Sequence, residues 1–89
     1  STLVSALDNG ANHEQAMAYL VELGPRAIPG LEQALGSSDV ETRERATLVL
    51  GFIGGPEALT LLERARGDSD LRVVRAAERA IARLRQKAV

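Results

Sequence analysis

The sequence predicts an all-α fold, a right-handed α-α superhelix of about six helices, and three observations carry that reading. The first is internal repetition. Gly24-Pro25-Arg26-Ala27-Ile28-Pro29-Gly30-Leu31-Glu32-Gln33-Ala34 lies over Gly55-Pro56-Glu57-Ala58-Leu59-Thr60-Leu61-Leu62-Glu63-Arg64-Ala65, and Ser38-Asp39-Val40 over Ser69-Asp70-Leu71, at a constant offset of 31. Upstream, Ala16, Leu20, Leu23 and Gly24 lie over Ala46, Leu50, Ile53 and Gly54 at an offset of 30, so the second copy carries one extra glycine. A period of about 30 residues marks a solenoid, in which each unit buries its apolar face only against its neighbours. The second observation is punctuation. Asp8-Asn9-Gly10, Gly24-Pro25, Gly36-Ser37-Ser38-Asp39, Gly54-Gly55-Pro56 and Gly67-Asp68-Ser69-Asp70 divide the chain into six segments, with glycines suited to helix C-termini and prolines to first turns. The third is the helical, three-and-four spacing of apolar residues inside those segments.

Residues 2–8, with Leu3, Val4, Ala6 and Leu7, read as the second helix of a unit whose first helix is missing. Residues 12–23 place Ala16, Tyr19, Leu20 and Leu23 on one face. A shorter helix over 27–35 carries Ala27, Ile28, Leu31, Ala34 and Leu35; Pro29 is tolerated in its opening turn, where amides have no intrahelical acceptor. Asp39 is placed to cap a helix over 40–53 with Ala46, Val49, Leu50 and Ile53 on its apolar face, and Thr42 and Arg43 where the next unit has Val73 and Val74. Residues 56–65 follow with Ala58, Leu59, Leu62 and Ala65. From the Asp70 cap onward, Val73, Val74, Ala77, Ala80, Ile81 and Leu84 share one face, and Arg72, Arg75, Arg79 and Arg83 fall within about 80° on the opposite one. The expected organisation is a single domain: a half unit over 1–10, units over 11–37 and 38–68, and a half unit or C-terminal cap over 69–89.

Composition narrows the function. At 89 residues the chain has room for one modest core. With 45% apolar residues and only Tyr19 and Phe52 aromatic, that core is built from Leu, Ile, Val and Ala, which suits closely packed helices. The absence of cysteine removes disulfides, thiolate nucleophiles and cysteine metal ligands. No apolar run approaches the ~20 residues a membrane span requires, and no basic-then-apolar leader opens the chain, so the expectation is a soluble, cytoplasmic protein. Its start at Ser1 rather than Met points to processing or excision from something longer. The net charge of −1 conceals an asymmetry: residues 1–44 hold seven acids and two bases, residues 45–89 nine bases and five acids.

Asp39-Val40-Glu41-Thr42-Arg43-Glu44-Arg45-Ala46-Thr47-Leu48-Val49-Leu50-Gly51-Phe52-Ile53-Gly54, followed by Pro56-Glu57-Ala58-Leu59-Thr60-Leu61-Leu62, resembles the short bacterial HEAT-like repeat, and so does Asp70 to Leu84. That family's pattern is a loop acid, Val-Arg, alanines, Ala-Leu-Gly-x-Ile-Gly and a second helix built on Ala-x-x-x-Leu. The sequence departs from it at Val74-Arg75, one residue out of register with Thr42-Arg43, and at Asn12-His13-Glu14, where the motif has Asp and Val-Arg. The resemblance implies an armadillo-type α-solenoid that binds proteins. It also implies two alternatives: a phycobilin lyase-like accessory subunit, since such lyases use similar repeats, and a metal-dependent hydroxylase, whose HEAT-like relatives present His-Glu pairs that hold two irons. His13-Glu14 is one such pair, but later units carry Arg43-Glu44 and Val74-Arg75 in its place, and a dinuclear site needs several imidazoles and carboxylates converging.

No other catalytic constellation is present. There is one histidine, no Gly-x-Ser-x-Gly elbow and no Gly-x-x-x-x-Gly-Lys loop, and Gly51-Phe52-Ile53-Gly54-Gly55-Pro56 follows a helix rather than a strand and reads as an interhelix turn. The chain is therefore expected to be non-catalytic and to need no cofactor. Two surfaces are candidates for binding. The stripe Arg72, Arg75, Arg79 and Arg83, continued by Arg85 and Lys87, is either a site for an acidic protein surface or phosphates, or a solvated face capping the last repeat. A sequence pI near 5.8 and the lack of stacking aromatics argue against nucleic acid. The inner surface, lined by second helices, offers Gly30, Glu32, Gln33, Thr60, Leu61, Glu63 and Arg64; Leu61 is either an exposed apolar contact beside the gap left by Gly30 or a packing residue. The reading is thus a non-catalytic protein-protein interaction or scaffolding module, with end-to-end self-association through the unmatched half units as a further mode.

Overall fold

The computed structural model of the chain describes residues 13–88, so the segment at 2–8 and the half unit over 1–10 lie outside the described residues. Five α-helices and one 3-10 turn make up the described region: α1 (His13–Leu23), a 3-10 turn (Gly24–Ala27), α2 (Ile28–Ala34), α3 (Val40–Ile53), α4 (Gly55–Ala65) and α5 (Leu71–Ala88). The fold is all-α, and the described residues contain no strand.

The caps sit where the sequence places them. The Asp39 carboxylate accepts hydrogen bonds from the Thr42 amide at 3.2 Å and the Thr42 hydroxyl at 2.8 Å, which starts α3. Asp70 accepts the Arg72 amide at 2.8 Å and starts α5. The segment expected as one helix over 27–35 instead opens with the 3-10 turn: Pro29 lacks an N–H for the Pro25 carbonyl, and the Ile28 amide bonds that carbonyl at three-residue spacing. Between α3 and α4 the chain reverses within two residues. Gly54 holds φ 70°, ψ −168°, a region open essentially to glycine alone, and Gly55 holds φ 88°. The second unit thus places two successive glycines at positive φ where the turn after α1 has one, Gly24 at φ 62°.

The helices form two rows. α1, α3 and α5 lie side by side in one row and α2 and α4 in the other, and α3 touches all four of its neighbours. The core between them is Leu20, Ile28, Leu31, Ala46, Val49, Leu50, Ala58, Leu61, Leu62, Ala80 and Ile81 with small satellites, all buried. A second cluster of Ala65, Val73 and Ala77 sits under Leu35 and Val40. Tyr19, expected on the apolar face of the first helix, is 47% exposed; it lies one step, about 100°, around the helix from buried Leu20, which turns its ring away from the core and into solvent. Two buried threonines are satisfied locally, Thr42 by Asp39 and Thr47 by the Arg43 carbonyl at 2.8 Å.

Arg43 joins the loops at the edge of the stack. Its guanidinium donates to Asp68 through Nε at 2.9 Å and Nη2 at 3.3 Å, and through Nη1 to the Ser37 carbonyl at 2.8 Å. Both side chains of the pair are largely shielded, so removing one partner would leave the other charge poorly solvated. Asp68 in turn accepts the Asp70 amide at 2.9 Å. An acid of the loop that closes the unit is therefore tied to the arginine of α3.

Gly51 marks the closest approach of α3 to α5. A Cβ there would stand 2.8 Å from the Ala80 Cβ and 3.1 Å from the Arg83 guanidinium. Neither the Ala80 Cβ nor its helix can yield without the helices separating. Gly51→Val is expected to cost about 2 kcal/mol through overpacking, read as a lower urea midpoint; an unchanged midpoint would show that the helices separate freely.

The caps also predict a pH dependence. The Thr42 hydroxyl bonded to Asp39, and the Arg72 amide bonded to Asp70, hold both carboxyls below their ordinary value of 3.8. With folded values below the unfolded one, the unfolded chain binds more protons in this range, so stability is fully present above about pH 4 and is lost as pH falls through the folded values. Urea midpoints followed from pH 5 downward should decline below pH ~4, and the decline should be shallower in Asp39→Asn/Asp70→Asn.

Candidate functional site

The arginine stripe does not lie on an isolated helix face. Arg72, Arg75, Arg79 and Arg83 form one wall of an open groove between α3 and α5, of about 430 Å³, whose other lining residues are Glu44, Leu48, Ala76 and Ala80. Register explains the arrangement. α5 turns Val73, Ala77, Ala80 and Ile81 into the core, so its arginines follow the edge next to α3. The four span twelve residues, about 16 Å of helix.

Each arginine has its own environment. Arg72 is held by Asp70, with Nε donating to Oδ1 at 3.3 Å, and that carboxylate pushes its guanidinium further up. Arg83 crosses over Gly51 and lays its guanidinium 4.9 Å from the centre of the Phe52 ring. Phe52 is 62% exposed and lies against Arg83, outside the lining of the groove, while Leu48, which does line it, is partly exposed. Arg75 and Arg79 are exposed, and neither forms an ion pair or side-chain hydrogen bond among the described residues. The groove thus combines two uncommitted cations with an apolar wall at Leu48, continued past the lining by Phe52 against Arg83. Sequence reasoning located the arginines and missed that wall; Leu48 and Phe52 stand four residues apart off the apolar face of α3, and that spacing was the available signal.

The inner surface is arranged differently. Glu32, Thr60, Leu61 and Arg64 do meet, with Ile28 and Glu57, around a hollow of about 240 Å³ between α2 and α4. Leu61, however, is 5% exposed and belongs to the core. Of the two alternatives for Leu61 the packing one holds: Ala58, Leu61, Leu62 and Ala65 form the buried seam of α4, and Leu61 lines the hollow as a core residue rather than a projecting contact. Arg64 and Glu32 pair across the hollow at 3.4 Å, spending its charges on each other. Glu63 lies outside it, bridging Arg66 at 2.9 Å and Arg85 at 3.1 Å. Gln33 is exposed and does not line the hollow.

His13 opens α1, followed by exposed Glu14. No group of three or more His, Asp or Glu side chains that could hold a metal ion exists among the described residues. No helix among them is long and apolar enough to cross a membrane.

Two rows of stacked helices, a period of about 30 residues and a glycine at the close crossing are joined by a family comparison: the model describing HEAT repeats matches residues 1–82. The chain belongs to the HEAT-repeat family. No curated protein and no solved structure gives a match to it. HEAT repeats generally mediate protein-protein interaction or scaffolding, and in this HEAT stack the first-helix row carries the open groove while the second-helix row is internally paired.

The Arg83–Phe52 contact is expected to contribute about 0.5–1 kcal/mol as an exposed cation–π pair. A double-mutant cycle with Arg83→Gln and Phe52→Leu, followed by urea unfolding, should return that coupling; a zero value would mean that the two side chains are merely adjacent.

Proposed function

We propose that this HEAT-repeat chain is a protein-binding module and that its docking surface is the arginine-lined groove between α3 and α5, which takes an acidic segment of another protein. The observation that carries this reading is the pair Arg75 and Arg79, solvent-exposed and uncommitted to any described side chain, next to the exposed apolar edge of Leu48 and Phe52. Cations of that kind steer an acidic partner to the groove, and desolvation of the apolar wall holds it there. The stack acts as a rigid support, and no step of catalysis is required.

Charge pairing supports the outer groove over the inner hollow. A partner arriving at the inner hollow would have to break the Arg64–Glu32 pair before meeting either charge, whereas one arriving at the outer groove meets guanidinium groups already free. Neither the lyase-like nor the hydroxylase-like alternative draws support from a feature of the structure.

Affinity capture from the source organism's lysate, with mass spectrometry and crosslink mapping, tests the proposal. Wild type and Glu32→Ala/Arg64→Ala should retain the same acidic proteins, with crosslinks to residues bordering the groove, and Arg75→Glu/Arg79→Glu should lose them. Retention should weaken as salt rises past ~0.15 M. With folding of each variant verified by circular dichroism, identical retention by all three would refute the outer groove as the docking surface.

A further inference from the structure

Corresponding positions of the three first helices differ in a way that the fold does not require. On α1 the outward row is Glu14, Ala18 and Glu22, on α3 it is Glu44, Leu48 and Phe52, and on α5 it is Arg75, Arg79 and Arg83, each row with a spacing of four residues. All nine except the half-buried Glu44 are exposed. Because the same place in the repeat holds an acid, an apolar residue or a base from unit to unit, core packing does not select arginine on α5. What the α5 row gains is a cationic ridge that faces Leu48 across the groove and meets Phe52 through Arg83.

We infer that the occupant of the groove is an acidic amphipathic helix of a partner protein, with carboxylates at i, i+4 and i+8 facing Arg75, Arg79 and Arg83 and apolar side chains on the adjacent stripe against Leu48 and Phe52. This rests on the docking surface proposed above and specifies what fills it. Residues four apart on a helix rise about 6 Å, and ridges of that pitch on both walls accept the i±4 ridge of a third helix lying along the groove. The row spans a little over two turns, about 12 Å, enough for three carboxylate contacts. An extended strand suits the groove less well. Guanidinium groups can donate to its carbonyls, but the walls offer its amides only the Glu44 carboxylate as a side-chain acceptor, while a helix brings its backbone already hydrogen-bonded. Glu44 at one end and the Arg83–Phe52 contact at the other make the groove asymmetric, basic beside α5 and apolar beside α3.

Two synthetic helical peptides of identical composition test the inference, one with glutamates at i, i+4 and i+8 beside a leucine stripe, the other with the same residues dispersed around the helix. Circular dichroism first establishes equal helicity, and fluorescence anisotropy then measures binding to the full chain. The patterned peptide is expected to bind at least about tenfold more tightly than its isomer, and to lose about tenfold in Arg75→Glu/Arg79→Glu and severalfold in Leu48→Asp. Equal binding of the two isomers, or equally tight binding of an unstructured glutamate peptide or a single-stranded oligonucleotide of the same charge, would overturn it in favour of a general polyanion surface. A wild-type homodimer that Glu14→Lys/Glu22→Lys abolishes and the patterned peptide cannot dissociate would also overturn it, since the groove would then belong to a second copy. Groove-dependent capture of lysate proteins together with equal binding of the isomers would retain the docking surface and reject the helix; if binding of the patterned peptide is unaffected by Arg75→Glu/Arg79→Glu, both fall.

Discussion

Where Gly51 faces Ala80, the backbones of α3 and α5 stand closer than any larger side chain permits, and the features of the outer surface follow from that separation. Because the helices nearly touch, the groove between them has a floor of Ala76 and Ala80 rather than an opening into the core. Because no side chain stands at Gly51, Arg83 can cross α3 and reach Phe52. The glycine costs α3 some helical preference in exchange for this contact, of order 1 kcal/mol relative to alanine. A small-residue seam therefore serves two ends: it completes the core and shapes the surface above it.

The electrostatics divide the molecule by row. The second-helix row and the terminal edge consume their charges in surface pairs such as Arg64–Glu32 and Glu63 with Arg66 and Arg85. Pairs as exposed as these contribute little to stability, of order 0–1 kcal/mol each, but they remove the charges from use by a visitor. On the first-helix row the acids thin out from α1 to α5 while the bases accumulate, and Arg75 and Arg79 stand in the groove beside Leu48 without an ion pair among the described residues. The division reflects placement more than composition, since the chain as a whole is nearly neutral with a net charge of −1.

Much of the architecture was legible in the residues because local rules and global packing agree. The bounds of α3 follow from the Asp39 cap and the Gly54 reversal, both of which act within a turn of themselves. The arginine row was legible for the same reason, as helical period fixes which residues share a face. Legibility failed where a side chain's fate depends on how far away the next helix stands. Leu61 and Tyr19 both occupy flanks of their helices; the leucine is covered by its neighbours and the tyrosine is not, and the interaxial distances that decide this are a tertiary property. The pairing of Arg75 and Arg79 with an apolar wall was hidden likewise, because Leu48 and Phe52 lie on a different helix more than twenty residues upstream.

The guanidinium of Arg43 connects the Ser37 carbonyl, before α3, with the Asp68 carboxylate, beyond α4. In a stack held only by apolar contact between neighbours, each boundary can open by itself, and the ends fray one unit at a time. Here one side chain belongs to two boundaries at once, so loosening either loop strips a charge-assisted bond from the other. Opening the boundary on either side of α3 and α4 therefore costs a bond to the same guanidinium, and that one side chain couples the two boundaries between which the groove is built.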